Sequence, residues 1–176
     1  SGTGTVTISG TQAQINAVLA GNSGATVAYY NGSDTPSAST TLTLSASDGT
    51  LSASDTATIN ITAVNDAPTS TITATAFTAT EQTSLSLVSG GLSVDDVDGP
   101  SVTATVSVGE GVLNIVAGTT GATVTNSGTG TVTISGTQAQ INNVLAGNSG
   151  ATVGYYNGSD TPSASTTLTL SASDGT

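Results

Sequence analysis

Apolar and polar residues alternate along most of the chain with a period of two. In Ala57-Thr58-Ile59-Asn60-Ile61-Thr62 every second side chain is apolar, and Ser101 to Val108 repeats the pattern with Val and Ala against Ser and Thr. Such alternation marks a strand with one face on a core and the other in water. It predicts strands over 4–9, 25–30, 39–46, 54–64, 70–78, 84–88, 101–108, 112–117, 121–126, 130–135, 151–156 and 165–172. One stretch differs. From Thr11 to Ala20, residues Ile15, Val18 and Leu19 fall at i, i+3 and i+4, with Thr11 placed to cap the start and Gly21 the end. A short helix is expected there and again over 137–146. Tyr29-Tyr30-Asn31-Gly32 and Tyr155-Tyr156-Asn157-Gly158 end strands in turns. In each Tyr pair one ring is expected in the core and one at the surface.

Residues 1–50 recur as residues 127–176, an offset of 126, with only Ala17→Asn143 and Ala28→Gly154 differing. Solenoid repeats run to about 20–50 residues, so this longer period reads as an array of whole all-β sandwich domains. Asn65-Asp66-Ala67-Pro68 breaks the preceding alternation and sets a boundary near Asp66. Residues 1–66 are then the C-terminal half of one domain. Residues 67–176 are the next domain, lacking its last strand, the counterpart of Leu51 to Asp66. This predicts head-to-tail self-association, with residues 1–66 of one molecule completing residues 67–126 of another, or else partial disorder. Near-identical copies favour a repeated mechanical or display task over specialised active sites.

Composition removes whole classes of function. The chain has 11 acidic side chains and no Lys, Arg or His, for a net charge of −11. Binding to nucleic-acid phosphates needs cationic side chains, and so does attraction to anionic membranes. No run approaches the ~18 apolar residues of a membrane helix. Without Cys or His there is no thiol chemistry, soft-metal site or Ser-His-Asp triad. Oxygen remains, from carboxylates, amides and the hydroxyls of 36 Thr and 25 Ser, and oxygen is the ligand of a hard cation. The lack of an initiating Met and of a leader predicts a fragment.

Asp95, Asp96 and Asp98 lie together before Gly99-Pro100. Two carboxylates ~4 Å apart repel by about 1 kcal/mol even in water. No cationic side chain is present to relieve them, so either the loop is fully solvated or a cation sits in it. The Asp96-Val97-Asp98 spacing sends two carboxylates to one side of an extended loop. Oxygen ligands of flexible geometry suit Ca²⁺ over Mg²⁺ or Zn²⁺. Asp55 and Glu110 read as solvated acids, with Asp55 flanking a strand start.

The order of these elements resembles the bacterial cadherin-like tandem repeats of large secreted adhesins of the RTX and biofilm type. Asn65-Asp66 stands where those repeats have an Asn-Asp linker, and Asp96-Val97-Asp98 where they have Asp-x-Asp. Glu81 matches an early Glu. Asp48-Gly49 and Asp174-Gly175 resemble a late Asp turn, and Asp34 and Asp160 fall at a Leu-Asp-x-Glu element of which only one acid is present. Ala67 replaces a usual Asn ligand, which lowers the expected number of ions per junction. The resemblance covers the whole repeat. It implies an all-β fold of tandem cadherin-like, immunoglobulin-like β-sandwich domains with one short helix per repeat, and Ca²⁺ at the junctions. The implied ligands at the internal junction are Asn65, Asp66, Asp96, Asp98 and Asp174, and Asp95 beside them is a further candidate. Glu81 would serve the next junction, and Asp34, Asp48 and Asp160 complete the candidate set.

The leading function is therefore an extracellular spacer on a bacterial cell surface, stiffened by Ca²⁺, supporting adhesion and contacting neighbouring repeats. A ligand-binding module for carbohydrate or ice is the alternative, motivated by Thr3-Gly4-Thr5-Val6-Thr7. An enzyme is not expected, because acids clustered at a linker with few aromatics fit glycoside hydrolysis poorly.

Overall fold

A strand completes its backbone hydrogen bonds only on a neighbour, whereas a helix completes them within itself. That difference separates the two copies of the repeated block. The structure, a computed structural model, describes residues 4–176. It is an all-β fold, mostly strands in antiparallel sheets, with two α-helices.

In the N-terminal part, helix α1 (Gln12–Leu19) is followed by a hairpin of β1 (Ser39–Ser47) and β2 (Ser52–Asn60). The rest comprises β3 (Thr69–Ile72), β4 (Leu85–Ser86), β5 (Leu92–Asp95), β6 (Ser101–Val108), β7 (Val112–Val116), β8 (Thr123–Thr125), β9 (Thr131–Thr137), α2 (Gln138–Leu145), β10 (Thr152–Tyr156) and β11 (Leu168–Ser173). These form a four-stranded sheet β11-β6-β9-β8, a three-stranded sheet β4-β10-β7 and a pair β3-β5. No helix among the described residues is long and apolar enough to cross a membrane.

One core gathers the apolar faces. Val102, Ala104 and Val106 of β6, Val132 and Ile134 of β9, Leu113 and Ile115 of β7, and Val153 and Tyr155 of β10 are all buried. Helix α2 adds Ile141, Val144 and Leu145. Each large side chain buried there is worth about 1.5–3 kcal/mol. Both helices start with a capping box. Thr137 Oγ1 accepts from Gln140 N at 3.3 Å, and Gln140 Oε1 accepts from Thr137 N at 2.8 Å; Thr11 and Gln14 make the same pair. The Asn142 amide fastens α2 to β5, donating to Val94 O and accepting from Val94 N, both at 2.9 Å.

The first copy has the same sequence and a different structure. Val6 is 60% exposed where Val132 is 0%, Val27 64% where Val153 is 1%, and Leu44 53% where Leu170 is 7%. Expected strands 4–9 and 25–30 do not form, while their copies become β9 and β10. The reason is the supply of neighbours. Strand β9 lies between β6 and β8, and β10 between β4 and β7. All four flanking strands come from residues 85–125 and are already taken by the second copy. Helix α1 survives because its bonds and caps are local.

Other strands moved at their ends. The expected 54–64 is Ser52–Asn60, 70–78 is only Thr69–Ile72, and 165–172 starts at Leu168. Strand β5 was not expected. The Tyr pair divides as anticipated in the second copy, where Tyr155 is buried and Tyr156 half-buried, whereas both rings are exposed in the first copy.

Truncating Leu145 to Ala should lower the unfolding free energy by about 2–5 kcal/mol. The same change at its copy Leu19, which is 39% exposed, should cost far less. Urea denaturation of both variants checks this, and equal losses would contradict the unequal burial of the two copies.

Candidate functional site

At the end of β5 the chain turns through Asp96 to Pro100 into β6. Asp96 is only 8% exposed. Its Oδ1 accepts from Gly99 N at 3.0 Å and from Asp98 N at 3.4 Å, a turn closed by the side chain. Its Oδ2 is buried and has no partner. A Cβ at Gly99 would collide with that same oxygen, so any side chain there would displace the Asp96 carboxyl. Half-buried Asp98 repeats the division. Its Oδ2 accepts from Asp66 N at 3.1 Å, and its Oδ1 is buried without a partner. Leaving a buried acceptor unsatisfied costs about 1–3 kcal/mol, more when it is charged.

Two further segments reach this loop. The linker brings Asn65 and Asp66. Pairing of Ser173 with Thr103 at the end of β11 brings Asp174. Asn65 Nδ2 donates to Asp174 Oδ2, and to Thr176 Oγ1 at 3.1 Å. Asp174 Oδ1 accepts from Thr176 N at 3.0 Å and Thr176 Oγ1 at 2.9 Å, in a turn where Gly175 takes φ 92°. The Asn65 amide, then the Thr176 donors, hold the Asp174 carboxyl at about 2, below its ordinary 3.8. Asp48, in the identical turn of the first copy, is held at about 2 by Leu51 N and by Thr50.

Asn65, Asp66, Asp96, Asp98 and Asp174 are thus linked by hydrogen bonds around one corner, although Asp98 and Asp174 are 76 positions apart in sequence. The other candidates lie elsewhere. Asp95 accepts from Gln138 Nε2 at the start of α2. Asp48 sits in the β1–β2 turn, at the opposite end of that hairpin from the linker. Asp34 is exposed in a loop. Asp160 accepts from Gln82 Nε2, which places it and the neighbouring Glu81 beside Asn157. That end is separated from Asp98 by the length of β6, about 23 Å at the usual rise.

Two acids differ from their expected settings. Asp55 is exposed, as expected, but lies inside β2, opposite Leu44, instead of at the strand's start. Glu110 is not a free surface acid. It is half-buried and accepts from Asn157 Nδ2 at 2.8 Å and from Ser163 N at 3.1 Å. Ser163 and Asn157 lower its pKa. The signal in the sequence was its frame, Gly109-Glu110-Gly111, since a Cβ at Gly111 would strike Tyr155 and the Tyr156 carbonyl.

Among the described residues no three acidic side chains are grouped closely enough to cage a metal by themselves. Any ion here takes part of its shell from amide, hydroxyl, backbone or water oxygen, which Ca²⁺ accepts. The two partnerless oxygens, Asp96 Oδ2 and Asp98 Oδ1, belong to carboxylates two residues apart in one loop. Comparison with protein-family models, curated proteins and solved structures gives no match.

Because the folded state lowers the Asp174 pKa, folding favours its ionised form. The stability this gives is present above pH 3.8 and is lost as pH falls toward 2. Replacing Asn65 by Ala should raise the Asp174 pKa toward 3.8 and leave Asp48 at about 2. Carboxyl-carbon NMR titration reads both groups, and an unmoved Asp174 would contradict the contact.

Proposed function

We propose that this chain is part of a Ca²⁺-stiffened extracellular spacer of a large bacterial surface adhesin, built from tandem cadherin-like β-sandwich domains that meet near Asp66. The observation carrying this reading is the pair of buried, partnerless oxygens, Asp96 Oδ2 and Asp98 Oδ1, in a chain with no cationic side chain. In the proposal, Asp96, Asp98, Asp66, Asn65 and Asp174 hold the ion. Asn65 now offers its NH₂ to Asp174, and a half-turn of the amide presents its oxygen instead. The ion supplies positive charge that stabilises the junction; no bond is made or broken, and the chain is not an enzyme. Each linker residue otherwise keeps about 1–2 kcal/mol of backbone freedom. Tying Asn65 and Asp66 to Asp98 and Asp174 removes that freedom. Glu81 and Asp160, at the far end of the second unit, are the residues proposed for a following junction.

The ligand-binding alternative also has an observation in its favour. The outer face of the four-stranded sheet carries aligned hydroxyls, with Ser171, Thr105, Thr133 and Thr125 in one row and Ser173, Thr103, Ser135 and Thr123 in the next. Thr3 of the motif that suggested this reading lies outside the described residues. Faceted ice growth, or glycan density on that face, would favour this reading over the spacer.

Calcium at 100 times its dissociation constant should stabilise the fold by about 2.7 kcal/mol, read as a higher melting temperature than in chelator. Mg²⁺, which dehydrates reluctantly, should do much less. Asp98→Ala or Asp66→Ala should remove most of the gain and Asp55→Ala should not. The gain should fade at low pH as the carboxylates protonate. Unchanged melting between chelator and millimolar Ca²⁺ would leave the spacer reading without support.

A further inference from the structure

The buried face of β5 runs one residue past the strand. Leu92 and Val94 are buried, Ser93 is half-buried, Asp95 is exposed, and Asp96 is buried in its turn. Side chains two apart leave a strand on the same face. Asp96 therefore takes an inward place in the pleat, in a chain with no cationic side chain to meet it there. The depth and angle at which its Oδ2 is held depend on where β5 lies.

One edge of β5 is set by β3, in pairs running from Thr69 with Asp95 to Ile72 with Leu92. Among the described residues no strand pairs with the other edge. Val94 turns its N–H and C=O that way, and the Asn142 side chain takes both. Its amide oxygen accepts from Val94 N and its NH₂ donates to Val94 O, each at 2.9 Å. A carboxamide placed so does what one residue of a neighbouring antiparallel strand does. One turn earlier on the same helix face, Gln138 Nε2 donates to Asp95 Oδ1. We propose that helix α2 positions the ion site, with Asn142 as the residue that sets Asp96 and Gln138 as its support. This rests on the Ca²⁺ reading of that corner.

The residue types agree with this role. Asn is a poor residue for a helix interior, because its side chain competes for backbone groups. Asn142 sits inside the eight-residue α2, and its side chain bonds the backbone of another element. Ile141, Val144 and Leu145 bury the rest of that helix in the core, so the clamp stands on a fixed base. With β5 held, Asp95 goes to Gln138 and Asp96 is left to face inward. Asp96 Oδ1 then accepts from Asp98 N and Gly99 N, so a shift of Asp96 also moves the loop that carries Asp98. The clamp thus governs both partnerless oxygens. On its other edge β5 is held by β3, the strand that follows Asn65 and Asp66. The loop of Asp96 and Asp98 leaves a strand fixed between the linker's own strand and α2.

Removing a group that orients a ligand without touching the metal typically weakens binding about 10–100-fold. Asn142→Ala removes both bonds to Val94 and keeps a strong helix former. In chelator, amide hydrogen exchange of Gly99 N–H reads how firmly Asp96 is held; it should speed up, while Thr176 N–H, bonded to Asp174, should not. Calcium titration calorimetry should show Ca²⁺ affinity lowered by about 10–100-fold. Gln138→Ala breaks only the bond to Asp95 and should show a smaller loss in the same direction, which carries the test if Asn142→Ala does not fold. Asn143→Ala, the residue that the first copy has as Ala17, should change neither reading. Val132→Ala, a core truncation in β9, should lower the melting temperature and leave the affinity alone. Unchanged Gly99 exchange in chelator, unchanged Ca²⁺ affinity, or an equal loss of affinity in Val132→Ala would overturn the inference. A chain without substitutions that binds no Ca²⁺ would instead overturn the reading of the corner, and Gly99 exchange, read without the ion, tells the two failures apart.

Discussion

A carboxylate oxygen taken out of water needs a hydrogen-bond donor or a positive charge. This chain has no cationic side chain, so its own donors are backbone N–H, amide and hydroxyl groups. Most of the bonded acids satisfy themselves that way. Asp48 and Asp174 close turns on the residues that follow them, and Glu110 takes Asn157 and Ser163. Asp96 and Asp98 each use one oxygen so and keep the other buried and unmatched. Among the described residues, the buried side-chain oxygens left without a partner therefore lie at the corner where linker, β5–β6 loop and β11 turn meet. A hard divalent cation answers them with charge and coordination together, which is the physical content of the spacer proposal.

A second constraint runs through the rest of the chain. Alternation states what a segment can pair with and not whether a partner is present. Residues 127–176 find their partners in residues 85–125, and the nearly identical residues 1–50 do not. The contrast isolates context from sequence. Helices α1 and α2 form in both copies, with the same capping box, because their bonds are local. Strands β9 and β10 form in one copy only. Residue-level β propensity decides little until a neighbouring strand is supplied.

The legibility of the site follows the same division. Both helices, the β6 and β7 strands and the Asp96-Val97-Asp98 pair were readable, because periodicity and close spacing are local signals. Asp95 was read with that pair, yet it ends β5 opposite Thr69 and its carboxylate goes to Gln138. Spacing alone could not separate neighbours whose side chains leave a strand on opposite faces. Strand β5 was missed because Leu92 to Asp95 is short and runs straight into the acids; it is defined by pairing with β3 and held by the side chain of Asn142, 48 residues from Val94. Glu110 was missed for the same reason, its donors lying 47 and 53 residues away. Asp174 was named through family resemblance, and the β11–β6 pairing supplies the physical reason for its position.

The most direct measurement is an anomalous difference map from a crystal grown in Ca²⁺. The account requires a peak about 2.3–2.6 Å from both Asp96 Oδ2 and Asp98 Oδ1, the range of Ca²⁺–oxygen bonds. A map with no peak there, in which both oxygens are bonded to water or turned out to solvent, would contradict it.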